Sequence, residues 1–104
     1  MITYDDIGIK RQIEDSSTPL VVDIVAPWCK FCTQMDPDIT RLAQEKEGSV
    51  RFAKCDSDEH PMVAHELGVK TLPLVILYKQ GEEVARRGSG DYADLTQWLA
   101  GFGL

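Results

Sequence analysis

The stretch LVVDIVAPWCKFC, residues 20–32, decides how this chain is read. Its first seven residues are apolar apart from Asp23. Such a run reads as a strand buried on both faces, central in a sheet that helices cover. Two cysteines follow, Cys29 and Cys32, with Lys30 and Phe31 between them. They fall just past the strand, where open α/β sheets build their sites, and at the start of the next helical pattern. On spacing alone the pair is a metal clasp, a structural staple, or a dithiol that trades electrons with other proteins.

Downstream, Met35, Ile39, Leu42 and Ala43 repeat at helical spacing, and the segment ends at Gly48. Pro37 lies inside this helix and is expected to kink it. VRFAKC (50–55) alternates as a strand, with Val50, Phe52 and Lys54 on one face against Arg51, Ala53 and Cys55 on the other. A short helix around 60–66 precedes Gly68. PLVILYK (73–79) is a second apolar strand, and QGEEVARR (80–87) supplies a turn and a hairpin partner. Asp91 caps a last helix that gathers Tyr92, Leu95, Leu99 and Phe102 on one face, with Trp98 beside them.

Upstream, TYDD (3–6) fits a capping box of Thr3 with Asp6, flanked by Ile2 and Ile7 at staple positions. That helix is expected to reach about Glu14, weakened by Gly8, and to stop in the polar EDSSTP (14–19). Helices and strands in this order predict an α/β fold: a central mixed β-sheet flanked by helices on both faces, one domain over residues 1–104.

The bulk numbers set limits. A hydrophobic fraction of 43% and a charged fraction of 27% are ordinary for a globular protein. The net charge of −6 argues against nucleic acid and anionic membrane surfaces as partners. The opening MITYDDIGIK lacks the basic-then-apolar pattern of a secretory signal, and no apolar run approaches the roughly 20 residues of a membrane helix. These features predict a cytoplasmic protein. In a reducing compartment three cysteines do not make a staple framework, and so short a loop would restrain the unfolded chain little. A zinc site would need two ligands beyond Cys29 and Cys32, and only Cys55, His60 and His65 are soft candidates. Cys55 reads as a buried inert thiol, and the two histidines, five apart, read as surface residues. No metal is expected.

At the first turn of a helix, Cys29 meets backbone N–H groups that lack helical partners, and the helix dipole favours an anion there. Both stabilise the thiolate, the nucleophilic form. Cys32, one turn on, shares its face and lies within disulfide reach. At about 6 Å in water the Lys30 charge adds about 0.7 kcal/mol to thiolate stability. That moves a two-electron couple by only about 15 mV in the oxidising direction. A carboxylate inside an apolar strand, as Asp23 is, should have a raised pKa suited to proton transfer near neutrality.

VVDIVAPWCKFCTQMDP (21–37) resembles the thioredoxin active-site region, whose usual centre is W-C-G-P-C, and the likeness runs on through FAKCDSD (52–58) and LGVKTLPLVILYKQGEEV (67–84). The Asp before the Trp, the Pro after the second Cys, the Lys on the next strand and the Pro opening the later strand all stand at family spacing. The resemblance implies a thioredoxin fold and a protein-disulfide reductase serving cell redox homeostasis. Cys29 would attack a substrate disulfide and Cys32 would resolve the mixed disulfide. Asp23 would relay the Cys32 proton and Lys54 would interact with Asp23. Pro73 would be cis, facing the cysteines, with Leu72 presenting backbone groups to substrate beside Trp28, Lys30 and Phe31. It further implies disulfide-containing protein substrates, a thioredoxin reductase as electron donor, no bound cofactor and a monomer. The alternatives use the same site as an oxidant, isomerase or glutaredoxin-like dithiol, or keep the fold as a metal-binding module. The chain departs from the family at Lys30-Phe31, which replaces Gly-Pro, at Val25 and Leu74, and in a shifted glycine pattern RGSG (87–90). The segment before Thr3 is too short for the usual first strand.

Overall fold

A computed structural model describes residues 1–15 and 17–104; Ser16, within the polar stretch expected to stop the first helix, lies outside the described residues. The elements are β1 (Ile2–Thr3), α1 (Asp6–Glu14), β2 (Leu20–Val25), α2 (Lys30–Glu45), β3 (Arg51–Asp56), α3 (Pro61–Glu66), β4 (Leu74–Lys79), β5 (Glu82–Arg87) and α4 (Tyr92–Ala100). The five strands form one mixed sheet in the order β1-β3-β2-β4-β5. β1 and β2 run parallel to β3, while β4 runs antiparallel to both β2 and β5.

The two apolar runs occupy the interior of the sheet because they have apolar side chains to bury on both faces. From β2, Leu20, Val22 and Ile24 join Ile9 of α1 and Val63 of α3 in one buried cluster. Val21, from the opposite row, joins Met35, Ile39 and Leu42 of α2 and Leu95 and Leu99 of α4. Each such side chain contributes roughly 1.5–3 kcal/mol when fully buried. The expected helices on both faces are therefore α1 with α3 and α2 with α4. β3 alternates as its sequence predicts, sending Val50 and Phe52 to the α2 side and Ala53 and Cys55 to the α1 side. Gln80 and Gly81, at φ 55° and 78°, close the β4–β5 hairpin. Asp91 and Asp94 form a reciprocal capping box at the start of α4.

Three local expectations are corrected. Asp5 rather than Thr3 caps α1: its side chain accepts from the Gly8 N–H, while Thr3 belongs to β1. Ile2 and Ile7 are both largely exposed and form no staple. The segment before Thr3 does supply a first strand, because two residues suffice to pair with Ala53 and Lys54 along the open side of β3. Gly8 is more than a weak helix residue, since a Cβ there would come within 2.8 Å of the Tyr4 ring. α2 runs through Pro37 as one helix from Lys30 to Glu45.

Arg51, read from sequence only as one side of an alternating strand, ties three segments together. Its guanidinium donates to the Gln12 carbonyl at 2.9 Å, the Asp15 carbonyl at 2.6 Å, and the Thr18 carbonyl and hydroxyl at 2.8 and 2.9 Å. The last turn of a helix leaves its carbonyls without intrahelical donors, and Arg51 supplies one to Gln12 and Asp15 at the end of α1.

Candidate active site

β2 ends at Val25, and Ala26-Pro27-Trp28 lead into α2. Cys29 takes the N-cap position of that helix, with extended backbone at φ −82° and ψ 108°. Its sulfur does what a capping oxygen does elsewhere and accepts the Cys32 N–H at 3.2 Å. Sulfur anion is thus favoured at Cys29 by a donor already in place and by the positive end of a 16-residue helix. Cys29 and Cys32 are joined as a disulfide with their Cα atoms 5.2 Å apart. They pack with Ala26, Val25 and Leu72 in a small apolar cluster of their own.

Both cysteines are almost covered, at 4% and 5% exposure, whereas Trp28 and Phe31 are 70% and 58% exposed. The redox pair therefore sits in a surface whose prominent groups are two aromatic rings, with the exposed Lys30 side chain between them in sequence. Leu72 reaches the pair from the segment before β4. The Leu72–Pro73 peptide bond is cis, and Pro73 is buried.

Asp23 lies on the α2 side of β2, in register with Lys54 of β3 and Val75 of β4. It is 1% exposed, and neither carboxylate oxygen has a hydrogen-bond partner among the described residues. Burial pushes its pKa up to about 7; Lys54 pulls down against that and Asp36 pushes further up. Lys54 influences Asp23 in this way, but its ammonium is bonded to Asp36 of α2. A groove of about 320 Å³ runs along this side, lined by Cys32, Asp36, Pro37, Lys54 and Asp56. Asp36 escaped the sequence reading. The available signal was its position four residues after Cys32, hence on the same helix face.

The remaining soft side chains stand apart from this site. Cys55 is wholly buried in the core on the α1 side, and burial raises its pKa to about 11. It is an unreactive thiol at neutral pH, as its place on the strand implies. His65 is exposed; His60, expected at the surface, is half-buried at the start of α3. No three His, Cys, Asp or Glu side chains among the described residues gather where they could hold a metal ion. No helix among them is long and apolar enough to cross a membrane.

The family model described as Thioredoxin matches residues 2–101. The thioredoxin of Rickettsia typhi is 35% identical over 95 residues, 90% of this chain and 90% of its own length. Thioredoxin 1 of Nostoc sp. is 35% identical over 79 residues, 76% of this chain and 74% of its own. The thioredoxin of Pyropia yezoensis is 33% identical with the same coverage. A paired Cys-x-x-C at a helix N-terminus, on a mixed sheet with helices on both faces, agrees with these matches. The chain belongs to the thioredoxin family and is a thiol–disulfide oxidoreductase.

Proposed function

We propose that the chain is a protein-disulfide reductase working as a one-domain monomer in the cytosol, with no bound cofactor and a thioredoxin reductase as its electron donor. The observation that carries this reading is the Cys29 sulfur at the N-cap of α2, holding the Cys32 N–H, beside two exposed aromatic rings. The name shared by the relatives supports the reducing direction.

In the reduced protein the Cys29 thiolate attacks one sulfur of a substrate disulfide. The substrate S–S bond breaks, a Cys29–substrate disulfide forms, and the other substrate sulfur leaves as a thiolate that takes a proton from solvent. Cys32 then gives its proton to the Asp23 carboxylate and attacks the Cys29 sulfur. The second substrate sulfur leaves, and the Cys29–Cys32 disulfide remains. Two electrons have moved from the dithiol to the substrate, and the donor returns them. Trp28, Lys30, Phe31 and Leu72 form the surface against which the substrate segment lies, with Pro73 shaping the approach. An acid whose pKa is about 7 is suited to accept the Cys32 proton at neutral pH.

Two measurements test the reading. A redox titration of the Cys29–Cys32 couple, followed by Trp28 fluorescence, should give a potential near the about −270 mV of thioredoxin rather than the about −120 mV of a strong dithiol oxidant. A value well above the cytosolic glutathione poise would reassign the site as an oxidant or isomerase. The Cys32→Ser variant should accumulate Cys29-linked mixed disulfides with protein substrates. Failure to capture any would remove Cys32 from the resolving role.

A further inference from the structure

Asp23 and Lys54 occupy matching positions on adjacent parallel strands. Neighbouring strands lie about 4.8 Å apart, so a lysine stem can easily bring its ammonium to a carboxylate at that register. Here it does not. The ammonium bonds Asp36, and both Asp23 oxygens lack partners among the described residues. Two anions compete for one cation, and the half-solvated one holds it. The Asp36 side chain is 45% exposed and Lys54 22%, so this pairing leaves both charges partly in water. Carrying the ammonium down to Asp23 would strip it further, against a desolvation penalty of several kcal/mol per ion.

We propose that Asp36 is a positioning residue for the exchange reaction, holding the Lys54 ammonium on the groove side of α2 and so keeping it off the Asp23 carboxylate. The inference rests on the proton-accepting role of Asp23 proposed above. Asp36 stands one turn beyond Cys32 and lines the same groove, which places it where it can hold Lys54 without entering the sheet. Of the other groups lining this groove, Asp56 alone carries charge, and its Oδ1 accepts the Asp58 and Glu59 N–H groups at 2.8 and 3.3 Å. β4 presents Val75 and Leu77, and α4 presents Leu95 and Leu99, none of which titrates. Cys32 is tied in the disulfide.

Neutralising Asp36 acts on Asp23 twice in the same direction. It removes a negative neighbour, and it releases a positive one whose nearest remaining buried anion is Asp23. Both favour the ionised form. The test is a carbon NMR titration of the Asp23 carboxyl in the oxidised protein, where the two cysteines do not titrate and cannot couple to it. Asp36→Asn should move the midpoint down by about one pH unit or more, the low end of what an opposite charge a few ångströms away produces. Lys54→Met should move it up. In the Lys54→Met background, Asp36→Asn should have much less effect, because no ammonium is left to release.

Equal downward shifts in both backgrounds would show that Asp36 acts only as a distant charge and would overturn the proposal. An unmoved midpoint in Asp36→Asn would do the same. The pH dependence of mixed-disulfide resolution, measured on the same variants, separates this from the reading it rests on. A midpoint that moves as expected with an unmoved rate profile supports the hold of Asp36 on Lys54 and takes Asp23 out of the resolving step.

Discussion

Asp23 is a carboxyl group in surroundings made for a neutral side chain. Its neighbours on β2 and β4 are apolar, its oxygens lack partners among the described residues, and burial lifts its pKa to about 7. In the unfolded chain it titrates near 3.9. Between those two values the folded protein holds a proton that the unfolded chain has lost, so stability falls as pH rises through that window. The contribution is fully present below about pH 4, is lost by about pH 7, and amounts to on the order of 4 kcal/mol. Asp23→Asn keeps the shape and removes the titration. The variant should therefore match the parent near pH 4 and be more stable than it at pH 8, by up to that amount. Urea denaturation of both proteins at the two pH values checks this, and an advantage that does not change with pH would refute the buried-charge account. The same residue shows what a single side chain in a sequence reveals. An Asp inside LVVDIVA announces its raised pKa, because the apolar run fixes its burial. The choice Lys54 makes between Asp23 and Asp36 was not legible, because it depends on how closely α2 lies against β3.

At the scale of elements, the strands and helices with strong patterns were readable and their ends were not. Both central strands, the hairpin and the capping of α4 by Asp91 follow from local sequence, while the reciprocal bond from Asp94 is added by the structure. The start of the first helix differs from expectation because TYDDIG (3–8) offers two caps two residues apart: Thr3 with Asp6, or Asp5 with Gly8. Pairing of Ile2 and Thr3 with β3 takes Thr3 away and leaves Asp5. The clamp made by Arg51 is invisible to periodicity, because its partners lie on α1 and on the approach to β2. That clamp supports a prediction. Arg51→Met keeps much of the stem but leaves the carbonyls of Gln12, Asp15 and Thr18 without this donor, which should lower stability by roughly 2–4 kcal/mol. Arg51→Lys should recover only part of the loss, since an ammonium cannot present a planar fork to three carbonyls. The midpoint of urea unfolding reports both variants, and full recovery by Lys would mean that the charge, not the fork, holds α1 to β3.

Over the whole molecule, the reactive pair hangs from one of the two most enclosed strands. β2 is paired on both edges and buried on both faces, and Cys29 follows it by four residues. β4 is enclosed in the same way, and Leu72 reaches the cysteines from its leading end. The sheet thins outward to β1, two exposed residues, and to β5, whose side chains are mostly exposed. This gradient explains why the fold was legible from its centre and least so at its margin: enclosed strands are written as continuous apolar runs, while edge strands depend on backbone pairing that any residues can make. The same gradient should appear in hydrogen exchange. Amides of Leu20–Val25, and those of Leu74–Lys79 that point at β2, can open only with the sheet as a whole, so their protection should report the global stability. The amides of Glu82–Arg87 that point at β4 need only the last strand to peel away, and should exchange roughly a hundredfold faster or more. If instead β5 is as protected as β4, the sheet opens as one unit. The cysteines would then owe their rigidity to the domain as a whole, and no longer to the two strands that carry them.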